Sequence, residues 1–78
     1  MPRALIEYTT NDAEKMYKAL KIEAGREIPR TKIDVRIDGK TLMIAIEATD
    51  SHALRAAINS YMRWLSLGEE IMKVIGNG

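Results

Sequence analysis

The sequence predicts an α+β domain with the element order β-α-β-β-α, in which a three-stranded antiparallel sheet carries two helices on one face. Three observations lead to this prediction. Apolar and polar residues alternate within 3–9 and within 31–49, as strands require, and apolar residues recur at helical spacing within 11–24 and 50–75. The 78 residues are enough for one domain with one modest core.

A strand is predicted at residues 3–9, followed by a first helix. Asn11 is the expected cap, with Glu14 three residues later at the positive end of the helix dipole. The helix is expected to run to about Ala24 and to end at Gly25. The inner face of the strand carries Ala4, Ile6 and Tyr8, and one face of the helix carries Ala13, Met16, Tyr17, Leu20 and Ala24.

An antiparallel hairpin is predicted at residues 31–49. The Asp38-Gly39 pair between its two alternating segments is a favoured two-residue turn. The residues expected to face the core are Ile33, Val35 and Ile37, then Leu42, Ile44, Ile46 and Ala48.

The outer face of the sheet is expected to carry three apolar residues, Leu5, Met43 and Ala45, although the second strand shows only charges there. Scattered exposed apolar residues are normal and need no explanation. The alternative is that this face packs on a second copy of the chain. Apolar residues on both sheet faces in so short a chain favour that alternative, which predicts a homodimer with an interface at Leu5, Met43 and Ala45.

The last element is a long helix that is expected to begin at Asp50 or Ser51 and to end at about Ile75, before Gly76. Its length would be roughly 37 Å. On a wheel at about 100° per residue it has three sectors. The core sector contains Leu54, Ala57, Ile58, Tyr61, Leu65, Met72 and Ile75, and the solvated sector contains Arg55, Asn59, Arg63, Ser66, Glu70 and Lys73.

The third sector, which we call the docking sector, makes the apolar arc wider than one core layer needs. Either the first helix covers it, or Leu67, Ile71 and Val74 overhang that shorter helix and bind the helices of a partner. The docking sector contains Ala53, Ala56, Ser60, Trp64, Leu67, Ile71 and Val74.

The composition argues against catalysis. The chain has no cysteine and one histidine, His52, which excludes disulfides, thiolate metal sites and a multi-histidine metal site within one chain. The five glycines fit neither a phosphate-binding loop nor a dinucleotide motif. No nucleophile with a base and no close carboxylate pair is apparent, so we expect no enzyme, no metal and no cofactor.

A self-contained RNA-binding module is the alternative function. It predicts salt-dependent tRNA binding by the isolated chain, but the net charge of +1 gives little general attraction to nucleic acid. A KH domain would need a G-x-x-G loop and an RNP platform would need exposed strand aromatics, and neither pattern occurs. Without a signal peptide or an apolar stretch of membrane-spanning length, a soluble cytoplasmic protein is expected.

The start of the long helix resembles the helix signature of the Pcc-type small subunit of the KEOPS complex. Residues 30–33 are similar to the family's basic segment leading into its second strand, and the step from Ala48 to Asp50 also fits. The resemblance covers nearly the whole chain, so residues 1–78 are expected to form one Pcc-like domain. The matching helix positions are Asp50, Leu54, Arg55, Ala56, Asn59, Ser60, Arg63 and Trp64.

The resemblance implies a function that composition alone does not indicate. KEOPS makes the threonylcarbamoyl modification of the adenosine next to the anticodon in tRNAs that read codons starting with A. Its catalytic subunit is an ATP-binding, metal-dependent transferase. The Pcc-type subunit would be a non-catalytic homodimer that binds this transferase through helices and assists tRNA binding, and the short form is similar to archaeal members.

The same resemblance assigns roles to particular residues. Within the docking sector, Ala56, Ser60, Trp64 and Leu67 are expected to face the transferase. Four basic residues are expected to contact the tRNA backbone, although each arginine could equally be a solvated or ion-paired surface group. These basic residues are Arg30, Lys32, Arg55 and Arg63.

Overall fold

The structure is a computed structural model that describes residues 1–25 and 29–77, with side chains described up to Ile71 and at Lys73. The predicted α+β class and the β-α-β-β-α order are confirmed. The elements are β1 (Arg3–Thr9), α1 (Ala13–Ala24), β2 (Thr31–Asp38), β3 (Thr41–Ala48) and α2 (Ser51–Asn77).

The three strands form an antiparallel sheet in the order β1-β3-β2, so the last strand of the chain lies in the centre. In this register Ile44 of β3 is opposite Ile6 of β1 and Val35 of β2. The alternation of β3 explains its central place, since every second residue from Leu42 to Ala48 is buried. A one-residue slip would turn these residues to the other face, so burial fixes the register of both pairs.

The hairpin turn lies one residue later than the sequence predicts. Asp38 pairs with Thr41, so the two loop residues are Gly39 and Lys40. Gly39 has φ 60° and Lys40 is not among the residues with positive φ, which is the pattern of a type II′ turn with glycine first. The predicted Asp38-Gly39 turn is therefore wrong by one position, because Asp38 completes the ladder opposite Thr41.

The start of α1 also differs from the prediction. The helix begins at Ala13 and its N-cap residue is Asp12, whose side chain makes no capping hydrogen bond. The backbone N–H of Asp12 donates to Oγ1 of Thr10 at 3.2 Å, and the N–H of Met16 donates to the Asp12 carbonyl at 3.0 Å. The predicted Asn11 cap is wrong because the Thr10 hydroxyl organises the turn that leads into the helix.

The other helix ends are closer to the predictions. Gly25 ends α1 as predicted, and its N–H donates to carbonyls one turn earlier. The predicted start of α2 is confirmed, with Asp50 preceding a helix that begins at Ser51. This helix continues through Gly76 to Asn77, two residues beyond the predicted end at Ile75.

The two helices cover the inner face of the sheet, and they differ in length. α1 packs mainly on β2, whereas α2 packs mainly on β3. α2 has 27 residues and α1 has 12, so α2 is about 40 Å long and extends beyond the segment that α1 accompanies. The largest fully buried side chains are Met16, Leu20, Leu42, Ile44, Ile46 and Tyr61. The predicted core positions Met72 and Ile75 lie outside the described side chains.

Two tyrosines at the inner layer place their hydroxyl groups in different environments. The Tyr61 hydroxyl is buried and makes no hydrogen bond within the part of the chain that the structure describes. Burial raises the pKa of Tyr61, and the nearby charge of Glu23 raises it further. Tyr8 donates a hydrogen bond to Glu69, and burial, that hydrogen bond and the Glu69 charge together raise the pKa of Tyr8 to about 12.

This contrast predicts opposite effects for the same chemical change. Tyr61→Phe removes a buried hydroxyl that has lost its water without gaining a partner, so the free energy of unfolding should stay constant or rise by up to about 1 kcal/mol. Tyr8→Phe removes a hydroxyl that is hydrogen-bonded to Glu69. It should lower the free energy of unfolding by about 1 kcal/mol or less, since Tyr8 is only half-buried. Urea unfolding of both variants measures the difference.

The stability at alkaline pH tests whether the Tyr8 hydroxyl bonds to Glu69. The folded pKa is raised from 10.0 to about 12, so the contribution of Tyr8 is fully present below pH 10 and is lost as the pH rises toward 12. The stability difference between the wild type and Tyr8→Phe should shrink over that range. A difference that is constant from pH 9 to pH 12 would mean that the hydroxyl does not bond to Glu69 as described.

Candidate functional site

The docking sector of α2 is largely exposed. Leu67 and Ile71 are 54% and 55% exposed, and Ala56 and Ser60 are also exposed. Ala53 and Trp64 are half-buried, and Trp64 packs against the core. The alternative that α1 covers this sector is therefore wrong for Leu67 and Ile71. Val74 lies outside the described side chains.

A close approach between the two helices explains which part of the sector α1 covers. A Cβ atom added at Gly68 would lie 3.2 Å from Cε of Met16 and 3.5 Å from Cζ3 of Trp64. The Met16 side chain therefore lies over Gly68 and beside Trp64, near the beginning of α1. Leu67 is next to this contact and Ile71 is about one turn beyond it. Both side chains are more than half exposed, so α1 covers neither of them.

The three apolar residues predicted on the outer sheet face are neighbours. Leu5 is directly opposite Ala45 in the register, and Met43 lies two residues before Ala45 on the same face of β3. Leu5 is 60% exposed and Ala45 is exposed, whereas Met43 is half-buried. Because the alanine side chain is small, the outer face of the sheet is depressed at Ala45. A cavity of about 570 Å³ lies here, lined by Leu5, Ala45, Arg3, Lys32, Asp34 and Glu47 among others.

Charged side chains border this apolar face, and several of them form ion pairs. Nε of Arg3 lies 3.2 Å from a carboxylate oxygen of Glu47 on the neighbouring strand. Nε of Arg36 donates to Oδ2 of Asp34 at 2.9 Å on the same strand. These exposed pairs contribute little to stability, but they leave the border of the apolar face close to neutral.

The four basic residues predicted to contact RNA are all exposed, yet they do not form one surface. Arg55 and Arg63 lie on the solvated sector of α2, in the helical layer. Lys32 lies on the outer face of the sheet, on the opposite side of the molecule from that layer. Arg30 lies in the turn before β2, at the end of the sheet where α2 begins.

Arg30 has an unusual backbone. Its φ is 66°, in the left-handed region, and its carbonyl accepts a hydrogen bond from the N–H of Thr49 at 3.0 Å. This conformation costs a residue other than glycine roughly 1–2 kcal/mol. Its guanidinium Nη1 lies 3.5 Å from Oδ2 of Asp50, and both side chains are substantially exposed. An exposed ion pair at this distance is a weak interaction and does not offset such a cost.

Asp50 uses its two carboxylate oxygens for different contacts. Oδ1 accepts a hydrogen bond from the backbone N–H of Ala53 at 2.8 Å, which confirms the predicted cap of α2. Oδ2 faces Arg30. The hydrogen bond from Ala53, followed by the charges of Arg30 and His52, holds the pKa of Asp50 below its ordinary value.

Three large exposed apolar residues outside the docking sector, Met1 among them, were not singled out from the sequence. Ile22 of α1 is 73% exposed and Met62 of α2 is half exposed. The helical wheel contains the signal for Ile22, because that residue falls on the side of α1 opposite Ala13. Along the described ranges, 1–25 and 29–77, no group of three or more His, Asp or Glu residues is placed to hold a metal ion. None of the helices in these ranges is long and apolar enough to cross a membrane.

Comparisons with known proteins identify a family and a relative. A family model described as "Transcription factor Pcc1" matches residues 3–73, which include β1, α1, β2, β3 and most of α2. The chain is also similar to the KEOPS complex subunit Pcc1 of Pyrococcus abyssi (strain GE5 / Orsay). The two sequences are 30% identical over 74 residues, which cover 92% of this chain and 90% of that protein.

The cap of α2 leads to a prediction about the thermal stability of the chain. Asp50→Ala should lower the melting temperature by a few degrees, because the Ala53 N–H loses its acceptor, whereas Asp50→Asn should lower it less, since asparagine also caps helices. Thermal unfolding monitored by circular dichroism compares the two variants with the wild type.

The pH dependence gives the matching control. The folded pKa of Asp50 is below the ordinary 3.8, so its contribution is present above pH 3.8 and is lost as the pH falls through the lowered pKa. The difference in melting temperature between the wild type and Asp50→Ala should therefore become smaller as the pH falls below 3.8. Equal melting temperatures for Asp50→Ala and the wild type at pH 7 would rule out a stabilising cap.

Proposed function

This chain belongs to the Pcc1 family, and from that premise we propose that it is a non-catalytic subunit of a KEOPS complex. In this role it supports the threonylcarbamoyladenosine modification of tRNA. It binds the transferase subunit, pairs with a second copy of itself and assists the binding of tRNA.

The exposed docking sector is the observation that carries the proposal. Leu67 and Ile71 are four residues apart on one side of α2, and each leaves more than half of its surface exposed. Exposed apolar residues at i and i+4 are the anchors with which a helix binds an apolar groove. Small residues at Ala56 and Ser60 allow the backbone of a partner helix to come close. We propose helices of the transferase subunit as the occupant of this surface.

The proposal of a non-catalytic role is supported by the origin of the perturbed pKa values among the described residues. Active sites commonly contain ionisable groups whose pKa is shifted within a cleft. The pKa shifts of Tyr8 and of Tyr61, which is itself in α2, arise first from burial, and the shift at Asp50 arises first from a helix cap. Each is explained by the packing of the fold.

A charge placed in the docking sector should weaken transferase binding. Burying a leucine contributes about 1.5–3 kcal/mol, and a carboxylate at the same place must also lose water, so Leu67→Glu should weaken the affinity at least about tenfold. Light scattering after size-exclusion chromatography of the chain mixed with the transferase subunit measures complex formation, and titration calorimetry gives the affinity.

Ser66→Glu is the matched control for this experiment. Ser66 is the preceding residue, is exposed and lies on the solvated sector, so the same charge there should leave the affinity within about twofold. Separate elution of the wild-type chain and the transferase at micromolar concentrations would contradict the proposed function. Equal weakening by both variants would contradict the assignment of the docking sector.

The proposed pairing of two copies rests on the outer sheet face. A two-fold axis places the same residues of both copies against each other, so an apolar centre with a nearly neutral border is compatible with itself. Leu5, Met43 and Ala45 form such a centre, and the Arg3–Glu47 and Asp34–Arg36 pairs lie beside it. This arrangement would leave both helices of each copy available to partners.

Leu5→Glu should therefore shift the chain toward monomers, because two like charges would meet near the symmetry axis. Sedimentation equilibrium over a concentration series measures the shift. Ile22→Glu is the matched control, since Ile22 is even more exposed than Leu5 but lies on α1, away from the sheet. A dimer that resists Leu5→Glu but dissociates on Leu67→Glu would place the interface on α2 and would contradict both assignments.

The proposed contribution to tRNA binding is supported by the position of Arg55 and Arg63. Both are exposed on the solvated sector of α2, which neither the docking sector nor the outer sheet face includes. They would remain accessible when the transferase and a second copy are bound. Since the chain has a net charge of only +1, it would hold RNA together with its partners rather than alone.

A further inference from the structure

Gly68 is a position of α2 against which a side chain of α1 lies. A Cβ atom there would lie 3.2 Å from Cε of Met16 and 3.5 Å from Cζ3 of Trp64. The first distance is tighter than real Cβ atoms usually show, whereas the second is an ordinary van der Waals contact. Alanine at this position would therefore displace the end of the Met16 side chain, although it would leave room for the indole ring.

Glycine is otherwise an unfavourable residue for this place in the chain. It loses more conformational freedom than alanine when a helix forms, and it adds no side chain to the packing. Gly68 does not end the helix, since α2 continues to Asn77. It is not among the described glycines with a positive φ, so an ordinary side chain fits its backbone. The contact with Met16 is what remains to explain a glycine here.

The two side chains that lie against Gly68 differ in their surroundings. Met16 is 1% exposed and belongs to the buried core, so it has little space into which it can move. Trp64 is half-buried, because it packs against that core while it belongs to the docking sector. Positions four apart are neighbours on a helix, and an edge of the indole ring lies over Gly68. A side chain at position 68 would consequently act on Trp64 through Met16.

We propose that Gly68 and Met16 are positioning residues, which hold the indole ring of Trp64 in the orientation in which it contacts the partner helices. The inference rests on the proposed function, since the contact is the one with the transferase subunit. Tryptophan is among the residues that contribute most to the affinity of protein interfaces. A ring that is fixed before binding loses less conformational entropy on binding.

The neighbours of Trp64 explain why the orientation of its ring matters. Ser60 lies one turn before Trp64 and has a small, exposed side chain. Leu67 lies three residues after Trp64 and is 54% exposed. A partner helix that binds Leu67 and approaches closely over Ser60 has to pass the indole ring. A ring displaced from Gly68 would obstruct that helix or lose its contact with it.

Fluorine NMR of the full-length chain labelled with 5-fluorotryptophan tests the inference. Trp64 is the single tryptophan of the chain, so the labelled protein gives one resonance for this ring. Unlabelled transferase subunit should shift that resonance, because the ring enters the interface. Gly68→Ala should shift the resonance of the free chain and should weaken the transferase affinity, measured by titration calorimetry, about fivefold or more. Alanine favours the helix, so the variant should remain folded, which circular dichroism checks.

A shorter side chain at position 16 separates the contact from the other effects of alanine. Leucine is similar to methionine in volume but has no Cε, so Met16→Leu removes the atom that the new Cβ would meet. In the Met16→Leu background, Gly68→Ala should weaken the affinity less than about twofold and should leave the fluorine resonance nearly unchanged. Ser66→Ala is the matched control, since it makes the same helix more favourable at an exposed position and should change neither quantity.

Three results would overturn the inference while the proposed function stands. The Trp64 resonance does not respond when calorimetry shows that the transferase is bound, or Gly68→Ala leaves the affinity unchanged. The third result is equal weakening by Gly68→Ala with methionine and with leucine at position 16, which would mean that the glycine acts through flexibility of α2. A wild-type chain that does not bind the transferase would contradict both the inference and the proposed function.

Discussion

The burial of the inner face of β3 is the interaction on which the other features of this protein depend. Leu42, Ile44, Ile46 and Ala48 are all buried there, and both neighbouring strands take their register from them. A sheet of three strands has no second layer of its own, so two helices must cover this face. Once they do, the opposite face of the same sheet is left without a covering element in the described chain. The candidate dimer surface is thus a direct consequence of how the core forms.

The unequal length of the two helices has a similar consequence. α1 is long enough to cover β2 and to bring Met16 over Gly68, but α2 is more than twice as long. The apolar residues of α2 follow the helical period into the segment that α1 does not accompany. Leu67 lies beside the Met16–Gly68 contact and Ile71 about one turn beyond it, and both remain more than half exposed in the described fold. Two exposed apolar residues four positions apart on one side of a helix suit the partner contact proposed above.

Hydrophobic periodicity was sufficient to predict the five elements, their order and nearly all of the described core. The errors occurred where one local hydrogen bond decides between neighbouring positions. Thr10 replaced Asn11 as the residue that organises the start of α1, and pairing of Asp38 with Thr41 moved the turn by one residue. Periodicity carries no information on such choices. It also could not reveal the backbone of Arg30, since no sequence rule assigns a positive φ to an arginine after a proline.

The candidate sites show a second limit of sequence reasoning. A motif can identify basic residues, but only the fold determines whether they share a surface, and here Lys32 lies on the sheet side while Arg55 and Arg63 lie on the helical side. An RNA that touched all of them would have to pass around the edge of the domain. In the proposed dimer, the outer face near Lys32 approaches its own symmetry copy, whereas the arginines of the two α2 helices lie on opposite outer surfaces. Each copy would then offer the Arg30 end and the helical side as separate contact points, so an assembly of several chains would bind an RNA that one chain alone could hold only weakly.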